Sequence, residues 1–136
     1  MAKISYSTVG FKDRDIAGAL RGIAAAGFVS VETSSQPAHV SSPLSGDELE
    51  TFRTLLKDCG LGVGTVHAPM RENVLGAPEE SWRREKMDVM TEYLYFAAVI
   101  EAKGMVIHPV PNPIFVPNPE RSELWQIITD ATRRSR

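Results

Sequence analysis

Two short stretches of this chain each deliver a histidine to a place where chemistry tends to collect. Val63 to Pro69 reads Val-Gly-Thr-Val-His-Ala-Pro, and Met105 to Pro109 reads Met-Val-Ile-His-Pro. Each is a short apolar run that follows a glycine, Gly60 or Gly104, and ends in a histidine shortly before a proline. A third run, Val29-Ser30-Val31-Glu32-Thr33, is interrupted by a carboxylate. An imidazole can hold a proton, accept a hydrogen bond or bind a metal near neutral pH. A carboxylate within an apolar strand is costly unless it has a partner or faces a solvated pocket. Glu32, His67 and His108 are therefore the leading substrate-binding or metal residues, and no catalytic residue is assigned. The same three side chains also match a two-histidine, one-carboxylate metal set. Three weaker candidates are His39, Arg71 and Asn73. His39 lies in a Ser-rich loop where exposure is the expectation, while Arg71 and Asn73 either bind a substrate oxygen or are simply solvated.

The elements that carry these residues alternate. Ile4 to Val9 suits a first strand. Asp13 is an expected N-cap, and Ile16, Leu20, Ile23 and Ala24 recur at helical spacing up to Gly27, with Phe28 beyond it supplying the apolar contact of a Schellman turn. The β-branched run Val29 to Thr33 is the second strand. The loop from Ser34 to Ser45 is long for a compact domain, and such loops are often functional. Ser45 and Glu48 have the spacing of a capping box ahead of a helix striped with Leu49, Phe52, Leu55 and Leu56. Gly60 ends it, and the third strand runs to His67. Pro78 suits the first turn of a long helix, with Glu79 and Glu80 beside its positive end. Val89, Tyr93, Phe96 and Ile100 form one buried row there, and Met90, Leu94 and Ala97 another, up to Gly104. Met105 to His108 is the fourth strand, a proline-rich loop spans Pro109 to Pro119, and Leu124, Ile127, Ile128 and Ala131 stripe a last helix. Trp82 and Trp125 read as packing residues.

Strand followed by helix, four times over, implies parallel strands joined by right-handed crossovers. Both a small open doubly wound sheet and one half of an eight-stranded barrel satisfy that pattern. Neither GxGxxG nor GxxxxGK[ST] occurs, so nucleotide binding has little support. If the second, third and fourth strands are neighbours about 4.8 Å apart, Glu32, His67 and His108 converge on one small ligand at the carboxyl ends of the strands.

At 136 residues the chain is one domain in length, and 43% apolar with 24% charged residues is the balance of an ordinary globular protein rather than a disordered one. A net charge of -2 gives no reason to expect nucleic acid or an anionic membrane as a partner. Arg133, Arg134 and Arg136 read as favourable charge at a helix C-terminus. One cysteine, Cys59, allows no internal disulfide and reads as a packed thiol in a reducing compartment. No apolar run approaches the roughly 18 residues of a membrane span, so the cytoplasm is the expected location.

Ala26-Gly27-Phe28-Val29-Ser30-Val31-Glu32 resembles the second-strand signature of the xylose isomerase-like TIM-barrel superfamily, the sugar phosphate isomerase/epimerase group. Val66-His67-Ala68-Pro69 and Val106-Ile107-His108-Pro109 resemble its third and fourth strands. The resemblance implies four βα units with parallel strands, the first half of a (β/α)8 barrel, so that residues 1–136 form a single incomplete domain. It implies a sugar or sugar phosphate substrate and an isomerase or epimerase activity assisted by a divalent metal cation. Glu32, His67 and His108 would line the substrate side of the rim, whereas in the apurinic endonuclease branch the two histidines would be metal ligands.

The departure from the family is equally plain. Its carboxylate metal ligands and acid/base pair come from later strands that this chain does not supply, so the chain alone is expected to be inactive. A four-stranded half barrel exposes two strand edges and one sheet face. The chain is accordingly expected to be a fragment, the product of a truncated gene, or a half that closes a barrel as a homodimer. A non-catalytic half-barrel module that assembles with itself or with a partner is the alternative reading.

Overall fold

The computed structural model describes residues 4–69 and 80–108. Among them, four parallel strands form one sheet in the order β1-β2-β3-β4: β1 (Tyr6–Ser7), β2 (Ser30–Ser34), β3 (Gly62–His67) and β4 (Gly104–Val106). Three α-helices intervene: α1 (Ile16–Ala25), α2 (Gly46–Asp58) and α3 (Glu80–Val99). A doubly wound sheet reverses strand order at a switch point. Here the order is strictly sequential, which is how the first half of a barrel is wound.

The chain divides into two compact units, one of residues 1–69 and 92–106, the other of residues 70–91 and 107–136. All four strands belong to the first. Pairing of Val31 with Val63 and of Thr33 with Val66 puts these four side chains on one face, each 6% exposed or less. Leu20 and Ile23 of α1, Phe52 and Leu56 of α2, and Tyr93 and Phe96 of α3 are buried with them. The Phe52 and Phe96 rings lie 6.4 Å apart, and Tyr6 meets Phe28 at 5.1 Å. In the second unit, the first part of α3 carries an Arg84–Glu80 ion pair of 3.0 Å and a Lys86 ammonium 4.4 Å from the centre of the Trp82 ring. No helix among the described residues is long and apolar enough to cross a membrane.

Several expected boundaries move. The first strand is Tyr6–Ser7 rather than Ile4 to Val9, because Ser7 caps a 3-10 turn over Thr8–Phe11 by accepting from the Val9 amide. Asp15, not Asp13, caps α1, its carboxylate accepting from Gly18 N–H at 2.7 Å. The second strand starts one residue later than expected and includes Ser34. Ser45 occupies the N-cap of α2 but makes no side-chain capping bond, so the capping box does not form. The buried stripe of α3 is narrower than expected, with Leu94 54% exposed, and Trp82 is exposed rather than packed. That helix ends at Val99, well before Gly104, and β4 ends at Val106. The proline-rich loop, Pro78, the last helix and Trp125 lie outside the described residues.

Candidate functional site

Strand alternation sends the residues between the buried positions to the opposite face of the sheet. Glu32 is paired in register with Thr65, and Ser34 with His67, across a bulge that gives β3 one extra residue beside Val31 and Glu32. Glu32, Thr65 and His67 therefore share the face opposite those four buried side chains, and all three are half-buried. Strand spacing and rise place Glu32 and His67 about 8 Å apart, on adjacent strands and two register positions along. That separation suits a small polyhydroxyl molecule touching both.

Each side chain is oriented by a neighbour. Thr65 Oγ1 donates to Glu32 Oε2 at 2.9 Å, holding one carboxylate oxygen. His67 Nδ1 lies 3.0 Å from the Ala68 carbonyl. A carbonyl can only accept, so Nδ1 carries a proton. The backbone joins in: the Ser35 amide donates to the His67 carbonyl at 3.2 Å, and the Ala68 amide to the Val106 carbonyl at 3.0 Å. The arrangement places a carboxylate and an imidazole on one face of adjacent strands.

Other candidates fall differently. His108 lies in the second unit, two residues past the end of β4, so it is not the strand-end residue that the apolar run suggested. His39 is buried, only 9% exposed, where exposure was expected. Its ring contacts Ser34 Oγ and the Arg14 carbonyl, each at 3.2 Å. Arg71 and Asn73 lie outside the described residues. Among the described residues, no three His, Cys, Asp or Glu side chains gather to hold a metal ion.

Thr65 was missed by sequence reasoning, although a signal existed: it stands two residues before His67 and so shares its face. Thr8 and Ser34, which bond to each other at 2.9 Å, left no such signal, being 26 residues apart.

A groove of about 840 Å³ lies at the opposite, amino-terminal end of the strands, lined in part by Ser5, Ser30, Gly62 and Gly64 with Arg53, Lys57 and Lys103. Its polar groups have structural duties. Ser5 and Ser30 bond to each other at 2.6 Å, and Arg53 donates to the Val99 carbonyl at 2.6 Å while pairing with Glu50. Lys57 stands in the last turn of α2, where positive charge is favourable.

No protein-family model and no curated protein sequence matches this chain. Solved structures do. A D-psicose 3-epimerase solved in the presence of D-fructose superposes with a TM-score of 0.73 at 16% identity, over 95% of this chain and 45% of its own. A 3-keto-D-glucoside 4-epimerase from E. coli gives 0.66 at 19% identity, over 98% and 50%. Endonuclease IV from Thermus thermophilus gives 0.54 at 25% identity, over 96% and 45%. The chain spans about half the length of the structures it matches. Its fold is that of the first half of a TIM barrel, with parallel strands in sequential order.

Proposed function

We propose that these four strands are the substrate-binding half of a sugar or sugar phosphate isomerase/epimerase barrel working in the cytoplasm. The observation that carries this reading is the shared face of Glu32, Thr65 and His67 at the carboxyl ends of β2 and β3. The named activities of the two epimerase structures support the choice of a sugar.

Epimerisation at a carbon next to a carbonyl removes a proton and returns it to the other side, which requires the neighbouring oxygens to be held still. Glu32, fixed by Thr65, accepts from a sugar hydroxyl. His67, two register positions along on the adjacent strand, orients a second sugar oxygen. Proton transfer at carbon falls to groups of the complementary half. The divalent cation implied by the resemblance takes its ligands there as well.

A second reading is favoured by the polarity of this face. Glu32, Thr65 and His67 do not make an apolar surface of the kind that seeks a nonspecific cover. A second copy of this chain that adds its own four strands would close a ring around that polar lining, and the half would then be an assembling module.

Titration of the isotopically labelled chain with D-fructose, with its native mass measured alongside, tests both readings. The sugar is expected to shift Thr65 and His67 resonances while leaving Ser5 and Ser30 in place, and His67→Ala is expected to weaken binding about tenfold or more. Binding unchanged in His67→Ala would remove that histidine from the site. A dimer that binds sugar favours closure by two copies; a monomer that binds none leaves the sugar reading without support.

A further inference from the structure

The buried histidine of the β2–α2 loop is the feature that the proposed function does not absorb. We propose that His39 is a positioning residue, which locks the loop after β2 and through it the backbone that presents His67. The proposal rests on reading His67 as a substrate-facing group.

The hydrogen bonds around His39 admit one consistent direction. The Arg14 carbonyl can only accept, so His39 Nε2 donates to it at 3.2 Å. In the neutral ring Nδ1 then accepts from the Ser34 hydroxyl at 3.2 Å. Having given its proton, Ser34 Oγ accepts from the Thr8 hydroxyl at 2.9 Å, and Thr8 Oγ1 accepts in turn from the Ser34 amide at 3.0 Å. Thr8 is fully buried and Ser34 is 2% exposed. Unpaired groups at such positions are expensive, so the network holds together as a unit.

This unit ties together three segments: the 3-10 turn after β1, the residues ahead of α1, and the start of the loop after β2. The loop is closed on itself by the His39 amide on the Gln36 carbonyl at 2.9 Å and the Val40 amide on the Ser34 carbonyl at 3.2 Å. Ser35, next to the anchored Ser34, donates its amide to the His67 carbonyl at 3.2 Å. The path from His39 to His67 therefore runs through Ser34 and one backbone hydrogen bond. A Ser- and Pro-rich segment has few apolar side chains of its own to hold it, Val40 being one that is buried. The imidazole, with one acceptor and one donor on opposite sides, bridges the gap.

The test uses the full chain, labelled with nitrogen-15, with no sugar added. His39→Ala and Ser34→Ala are each expected to speed exchange of the Ser35 amide about tenfold, leaving Val31 and Val66 amides unchanged, and to move the His67 ring resonances. His39→Asn, whose side-chain oxygen takes the place of Nδ1, is expected to restore both readouts toward wild type. Wild-type Ser35 exchange and His67 resonances in His39→Ala would reduce His39 to a buried packing group and overturn the proposal. If His39→Ala does not fold, Ser34→Ala decides by the same two readouts. Because no sugar enters this experiment, a failure of sugar binding leaves both readouts as they are, and the two proposals stand or fall separately.

Discussion

The two ends of the sheet are built by different means. At the amino-terminal end each helix turns into the next strand through the same backbone device. Gly27 N–H bonds to Ala24 C=O and Phe28 N–H to Ile23 C=O; Gly60 and Leu61 repeat the pattern on Lys57 and Leu56, and Glu101 and Ala102 on Ala98 and Ala97. These are Schellman turns, closed by main-chain atoms, with Arg53 adding a side-chain bond to the Val99 carbonyl at the end of α3. At the carboxyl end the described loops after β1 and β2 are held in part by side chains: Thr8, Ser34 and His39 in one network, Tyr93 on the loop carbonyls in another. A turn closed by its own backbone tolerates change in side chains, whereas a loop held by distant side chains is adjustable by substitution. The candidate site sits at the adjustable end, as functional loops on a rigid scaffold commonly do.

The contrast is broken most severely by crowding the rigid end. A Cβ added at Gly64 would collide with Ser5 Oγ and come within 3.0 Å of Ser30 Oγ. Gly64→Ala is expected to lose about 1–3 kcal/mol in urea unfolding, the usual range for overpacking. Ser5→Gly in the same chain is expected to recover most of the loss, and His67 resonances are expected to stay where they are. A loss below about 0.5 kcal/mol, the range of an ordinary surface change, would show that this end is not closely packed.

At the adjustable end the test is Tyr93. Its hydroxyl donates to the Ser41 carbonyl at 2.8 Å, with Val40 C=O at 3.4 Å, and the residue is 2% exposed. Burial, with a smaller contribution from Glu92, raises its pKa to about 12. A raised folded-state value means that the unfolded chain loses the phenolic proton first. Stability is therefore intact below about pH 10 and falls as pH rises toward 12. Tyr93→Phe is expected to cost about 1 kcal/mol at neutral pH and to remove this residue's share of the alkaline decline. Wild-type and variant unfolding curves that decline in parallel between those pH values would separate the phenol from the loop.

The same contrast explains what could be read in the chain beforehand. Gly27-Phe28 and Gly60-Leu61 announced their turns because every atom involved lies within six residues. The strand positions of Glu32 and His67 were legible because each lies in a short apolar run bounded by turn residues. His39 was misjudged because Arg14, whose carbonyl its ring meets, lies 25 positions away and no local pattern points to it. The Tyr93 contact, separated by 52 residues, was equally hidden. His108 was misplaced for a local reason, since the run Met105 to His108 continues past the last paired residue, Val106.

The end of α3 is the subtlest case and gives the smallest effect. Gly104 looked like the stop signal, yet the turn is made three residues earlier by Glu101, which adopts φ +58 where Gly27 and Gly60 stand at +86 and +64. A side chain in this left-handed region costs roughly 1–2 kcal/mol, part of which glycine returns through its greater freedom in the unfolded chain. A carboxylate just past a helix C-terminus is also on the unfavourable side of the helix dipole. Glu101→Gly is thus expected to stabilise the protein by about 0.5–1 kcal/mol, and Gly60→Ala at the matching position to destabilise it by a similar amount. An added Cβ meets nothing within 4 Å at Gly60, so any loss there comes from backbone conformation and not from crowding. Opposite signs at these two positions, measured in one denaturant series, would establish that the turns of the rigid end obey one backbone rule. Equal signs would mean that Glu101 is retained for a side-chain contact, and that this end too is held in part by its side chains.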